Sequence, residues 1–151
     1  MIKVNVAINN KSWHKKIKHP KKYFNQKLKK ISKIVDLFKN KNVTFTILLT
    51  NSFIMKKLNK TFRKRNKSTD ILSFPSFSPK SLKLTKEKKI YIGDLAASYE
   101  IINLRSKKKN FFTEFDKVWV HGLLHLIGYD HIRIKDYYKM NRIEKRIINS
   151  I

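Results

Sequence analysis

Apolar residues in this chain recur first at every second position and then at every third or fourth, and the alternation of these two periods lays out the elements. Residues 2–8, IKVNVAI, alternate and are β-branched, which predicts a strand. Pro20 can open a helix, and Phe24, Leu28, Ile31, Ile34, Val35 and Phe38 follow at helical spacing with lysines opposite. That pattern predicts a core helix with a basic, solvated side. Residues 43–49, VTFTILL, read as a second strand. Asn51 or Ser52 can cap the next helix, which runs to about Arg63 with Phe53, Leu58 and Phe62 on its inner side. Asp70 to Phe74 form a short strand ended by Pro75, which marks an edge or an exit.

Residues 76–89 read as a loop rich in serine and lysine, and 90–97, IYIGDLAA, as a strand interrupted at Gly93 and Asp94. Glycine inside a strand marks a bulge or a close backbone approach. A helix follows from about Ser98 to Lys108. The next is capped by Thr113, has Glu114 and Asp116 in its first turn, and is buried through Phe115, Val118, Trp119, Leu123 and Leu126. A last amphipathic helix, about 134–149, carries Ile134, Tyr137, Tyr138, Ile143 and Ile147. Trp13 falls in a polar turn, His14 and His19 in a lysine-rich surface loop. The order is strand, helix, strand, helix, two strands, three helices. It predicts an α+β fold, a small mixed sheet packed against helices, in a single domain over residues 1–151.

Composition adds partners and excludes others. Hydrophobic residues make up 41%, too many for a disordered chain. No apolar run approaches the length of a membrane span and MIKVNVAINN is not a signal peptide, so a cytoplasmic location is expected. The net charge is +26, which attracts polyanions, nucleic acid first among them. Only six of the 36 basic residues are arginine, beside abundant isoleucine and asparagine, a profile that an AT-rich genome also produces. The charge therefore argues for a basic surface rather than for any particular lysine.

The candidate chemistry is concentrated in HGLLHLIGYDH, residues 121–131, which holds three of the chain's five histidines. His121 and His125 are four apart and project from one face of a helix. Gly128 can take the left-handed conformation that ends a helix, and His131 returns from beyond the turn. Three imidazoles converging in a chain without cysteine suit a transition metal, zinc above all. Three protein ligands leave a fourth position open, as in a catalytic rather than a structural site. The competing reading is a helix with core histidines, which fits one histidine better than three around a glycine. The spacing is that of the long zinc-protease motif, but Gly122 stands where that motif needs its glutamate base, which counts against peptide hydrolysis.

Three segments together, LNKTFRKRNKSTDILSFP at 58–75, GDLAAS at 93–98 and HGLLHLIGYDH at 121–131, resemble the signature segments of the YbeY family of metal-dependent endoribonucleases. The resemblance implies a zincin-like α+β fold. It implies that His121, His125 and His131 hold zinc and that Arg63 is a functional residue at the cleft. The implied substrate is single-stranded RNA, and the implied process is 16S ribosomal RNA 3′-end maturation and ribosome quality control on the small ribosomal subunit. The chain departs from the family pattern at Ser68, where proline often precedes the Thr-Asp pair, and in its large basic excess. Asp70 and Asp94 are candidates to orient ligand imidazoles from behind, with turn or capping roles as the alternative. Tyr129 and Asp130 serve the turn, and Phe62 and Phe74 pack in the core rather than stack on bases. Two other functions compete: a metal-dependent hydrolase of peptide or amide bonds, and a non-enzymatic ribosome-associated RNA-binding factor whose metal is structural.

Overall fold

The computed structural model describes residues 1–151. In chain order the elements are β1 (Ile2–Ile8), α1 (Pro20–Ile31), α2 (Asp36–Asn40), β2 (Asn42–Thr50), α3 (Ser52–Arg63), β3 (Ile71–Pro75), α4 (Pro79–Leu84), β4 (Lys89–Ser98), α5 (Tyr99–Arg105), α6 (Phe111–Leu126) and α7 (Ile134–Ile148). The four strands form one sheet in the order β1-β2-β4-β3. The first two pairings are parallel and β3 is antiparallel to β4, so the sheet is mixed and β3 lies at an edge.

Strand alternation sets which face is covered. Val43, Phe45, Ile47 and Leu49 of β2 are all buried in the main core with α1 and α6. On β4 that face takes Ile90 and Ile92, then Leu95 and Ala97, so the parity shifts by one between them. The shift is a bulge: Thr44 pairs with Tyr91, but Thr46 pairs with Asp94. Without it Asp94 would point into the core. Gly93 makes the bulge possible, with φ at 127° and a backbone so close to β3 that a Cβ there would sit 2.1 Å from the Phe74 carbonyl oxygen. The opposite face is covered only by α3, over a small cluster of Met55, Leu72 and Ala96.

The structure departs from the sequence reading in five places. The helix from Pro20 ends at Ile31; the chain is extended at Val35 (φ −97°, ψ 114°), and Phe38 belongs to the separate α2. Val35 and Phe38 are nonetheless buried, so the apolar period reported burial rather than one continuous helix. The 76–89 segment contains α4, with Ser78 accepting from the Ser81 N–H at 3.1 Å and Pro79 at the first helical position. Trp13 is fully buried in a short 3-10 turn, its indole N–H donating to the Thr50 carbonyl at 2.9 Å and its ring packed on Tyr99, Phe111 and Phe115. Truncating such a ring to alanine costs about 3–5 kcal/mol. On α3 the inner positions are Met55 and Asn59, with Leu58 packed beside them as expected, while Phe53 and Phe62 are exposed. Phe53 lies under the Lys57 ammonium, and Phe62 meets edge-on the ring of Phe74, which itself packs against the small cluster as expected. Finally, Asn110 caps α6 rather than Thr113, accepting from the Phe112 N–H at 2.8 Å. With the helix starting at Phe111, Asp116 falls beyond the first turn and is buried, accepting from the Tyr23 hydroxyl and the Trp119 indole and paired with Lys27 at 2.6 Å. Burial first, and then that carboxylate, push the Tyr23 phenol far above its ordinary range.

Candidate metal centre

Helix α6 is apolar almost all round, and buried side chains from Phe115 to Leu126 fix it in the core. The interruptions are His121 and His125, both half-buried and one turn apart. Gly122, between them, faces the edge strand. A Cβ there would lie 3.0 Å from Ile71 Cγ1 and from Leu95 Cδ2, and 3.2 Å from Ser73 Oγ. The Ser73 hydroxyl donates to the Gly122 carbonyl across this contact. The glutamate of a zinc protease is therefore not merely missing; β3 occupies its space.

The helix ends as the glycine requires. Gly128 has φ at 87°, its N–H donates to the His125 carbonyl, and the Tyr129 N–H donates to the Leu124 carbonyl, both at 3.0 Å. This doubled closure is the Schellman motif, and it turns the chain back over the helix face. The Asp130 carboxylate then accepts from the His131 N–H at 2.7 Å and fixes the return. Asp130 and Tyr129 thus serve the turn, as expected.

The three imidazoles meet. Their ring centroids are 4.7, 5.0 and 5.5 Å apart, and one nitrogen from each falls within 4.8 Å of the others. His121 Nε2 and His125 Nε2 are 3.1 Å apart. Nitrogens at about 2.1 Å from a tetrahedral ion are roughly 3.4 Å from one another, so this edge already has the required size. The outward nitrogens have partners that set the tautomers. His125 Nδ1 is 3.0 Å from the Tyr129 carbonyl, and His121 Nδ1 is 3.4 Å from Glu144 Oε2 on α7. Donation from Nδ1 leaves Nε2 as the free lone pair facing inward. Burial, and after it the neighbouring His121, hold the His125 pKa below its ordinary value, which favours the neutral ligating form. The donor set therefore fits a transition ion. Asp70 and Asp94 do not orient these rings. Asp70 pairs with Arg105, and Asp94 accepts from the Tyr91 hydroxyl at 2.5 Å. Glu144 and the Tyr129 carbonyl hold those places instead.

The centre lies in a cleft of about 1120 Å³. Its other wall is the α3–β3 connection, which brings in Arg63, Arg65 and Lys67, while Lys117 of α6 adds a further cation. Arg63 ends α3, followed by Lys64 in a left-handed conformation (φ 57°). Asn59, only 3% exposed, holds this turn: its side-chain N–H donates to the Lys67 carbonyl at 2.7 Å and its own carbonyl accepts from Arg65. Periodicity alone does not single out Asn59. The signal was a polar residue four positions after Met55, on the apolar stripe of the helix.

Residues 7–151 match the family model described as Endoribonuclease YbeY. The chain belongs to the YbeY family. Full-length likeness accompanies the match. The Endoribonuclease YbeY of Pelagibacter ubique is 43% identical over the whole of this chain and 97% of its own length. That of Bartonella bacilliformis is 32% identical over the whole chain and 94% of its length. A solution structure from Thermotoga maritima superposes with a TM-score of 0.63 at 24% identity, covering 99% of this chain and 88% of that one, and shows the same fold. The architecture is the zincin-like α+β arrangement expected: a small mixed sheet, an edge strand beside the cleft, and the histidine helix packed beneath it.

That edge strand also limits the backbone groups this YbeY chain offers to a peptide. Asp70, Leu72, Phe74 and Ser76 turn their backbone groups toward β4, so Ile71, Ser73 and Pro75 turn theirs outward. The Ile71 N–H donates to Asp70 Oδ1 at 2.8 Å, Arg63 Nη2 donates to the Ser73 carbonyl at 3.0 Å, and Pro75 has no N–H. A peptide laid along this edge would find the Ile71 N–H and the Ser73 carbonyl already engaged and no donor at Pro75.

Proposed function

We propose that this protein is a zinc-dependent endoribonuclease specific for single-stranded RNA. It acts in 16S ribosomal RNA 3′-end maturation and ribosome quality control, in association with the small ribosomal subunit. Residues 1–151 serve as one catalytic domain, and the site of action is the cytoplasm, where ribosomes are assembled. The observation that carries this reading is the convergence of His121, His125 and His131 within 4.8 Å in a cleft lined by Arg63, Arg65, Lys67 and Lys117. The relatives named Endoribonuclease YbeY support it, and the all-imidazole donor set favours zinc. No helix is long and apolar enough to cross a membrane.

In this reading a bound zinc ion supplies Lewis-acid stabilisation of charge developing on the scissile phosphate. The protein's part is to hold the rings and the substrate. The Tyr129 carbonyl and Glu144 accept from the outward nitrogens of His125 and His121 and keep the inward ones free. The cations of the α3–β3 turn draw the RNA backbone into the cleft. Arg63 spends one N–H on the Ser73 carbonyl, which anchors its planar head and leaves its other donors for phosphate oxygens.

Elemental analysis and cleavage of a single-stranded RNA, on protein purified without chelator, test this directly. About one zinc per chain is expected in the wild type. His125→Ala should lose both metal and cleavage, whereas Arg63→Ala should keep its zinc and lose roughly a hundredfold in rate, the usual scale for removing a charge-stabilising donor. Wild type that carries zinc yet cuts no faster than His125→Ala defeats the enzyme reading. If the folded variant then binds RNA as wild type does, the RNA-binding factor takes its place.

A further inference from the structure

The opening turns of α7 have no partner in the fold. Ile132 is 84% exposed, Ile134 79%, Tyr137 51% and Tyr138 64%. The helix packs into the core further along, through buried Met140 and Ile147 and half-buried Ile143 and Ile148. Apolar and aromatic surface gathered in this way marks a binding site more often than chance. The cations Arg133, Lys135, Lys139 and Arg142 surround it and are all exposed, and the one acid among them is Asp136.

The patch adjoins the histidine cleft. His131 leads into it, and Ile132 lines the cleft itself. Glu144, which contacts His121, lies seven residues after Tyr137 on the same helix. Seven residues bring the side chain back to the same face about 10 Å along the axis. The rings of Tyr137 and Tyr138 are 5.6 Å apart and cross at 74°, edge against face, so a ring face stays open to solvent.

We propose that Tyr137 and Tyr138 form a base-stacking site that takes unpaired nucleobases of the RNA strand next to the cleavage position; this rests on the endoribonuclease reading above. Open aromatic faces interleaved with cations match a nucleic-acid strand, the rings taking bases and the cations taking phosphates. A double helix keeps its base faces stacked inside, so a site of this kind selects single strands. Self-association through the patch would set Arg133, Lys135, Lys139 and Arg142 against their own copies in a chain of net charge +26, which opposes it.

The test uses zinc-loaded, full-length protein and a single-stranded RNA carrying 2-aminopurine beside its mapped cut. Wild type should quench the probe on binding. The double variant Tyr137→Ala/Tyr138→Ala should abolish the quench and raise KM about tenfold or more with kcat and zinc content unchanged, since stacking contributes about 1–3 kcal/mol per base. The Tyr137→Phe/Tyr138→Phe variant keeps the ring faces and should behave as wild type, which guards against a folding artefact in the alanine variant. An unchanged KM and quench in the alanine variant, while wild type cuts, overturns the stacking site alone. So does a shift from dimer to monomer in light scattering with RNA binding intact, because the patch would then be a self-association surface. Absence of cleavage in wild type is instead a failure of the enzyme reading, and the stacking site is then decided by the quench of 2-aminopurine placed along a single-stranded RNA that the protein binds.

Discussion

Gly122 and His125 show how much one position can carry. Gly122 is where α6 and β3 touch, and any side chain there must displace Ile71, Leu95 or Ser73. We expect Gly122→Glu to lower urea-denaturation stability by about 1–3 kcal/mol, the scale of core overpacking, and to confer no peptidase activity on unfolded protein substrates. His125 carries a pH signature. Its folded pKa lies below the ordinary histidine value of about 6.5, so between the two the unfolded chain binds the extra proton. Stability from this source is full above about pH 6.5 and is lost as pH falls through the lower folded value. Thermal melts in chelator should show a midpoint falling from pH 7 toward 5, and His125→Asn should flatten that slope.

At the scale of elements, the cleft depends on two turns with different physics. The α6 turn is local: Gly128 in a left-handed conformation and two backbone bonds close it. The α3–β3 turn depends on a side chain, because Asn59 alone ties the helix to Lys67 and so sets the direction of Arg63. Asn59→Ala should leave zinc content unchanged and reduce cleavage about tenfold or more, with the folded state destabilised by about 1–3 kcal/mol through the unpaired Lys67 carbonyl. Loss of zinc in that variant would show the two turns to be coupled. The bulge at Gly93 is a third local device. It exchanges Asp94 for Leu95 on the core face, and from it follows the position of Ala97, which pairs with Ile71 at the cleft wall.

Across the whole molecule the question is how much of the +26 charge works. Most lysines lie on surfaces remote from the cleft, on the solvent side of α1 for example. The cleft offers Arg63, Arg65, Lys67 and Lys117, while Arg105 is engaged with Asp70. Binding of single-stranded RNA should therefore follow log salt with a slope of about −3, the value for four neutralised phosphates. The stacking site at α7 can add the neighbouring cations and steepen it moderately. A slope near −10 would mean that the strand follows the general basic surface and that the cleft is not its main track.

The histidine cluster, the helix stop and the strand bulge were legible in the sequence because each is a short-range requirement: i,i+4 geometry on one helix, and glycine where φ is positive. The α+β class was legible for the same reason, since periods of two and of 3.6 are local. The tertiary structure alone decided that Trp13 is core and Phe62 is not, because a single aromatic among lysines has no period to reveal its side. It alone chose Glu144 and the Tyr129 carbonyl, rather than Asp70 or Asp94, to stand behind the histidines, since α7 meets α6 only after folding. And it alone set Arg63 on the Ser73 carbonyl, where one contact holds the guanidinium at the cleft and engages an outward carbonyl of the sheet edge, a pairing that spacing along the chain does not encode.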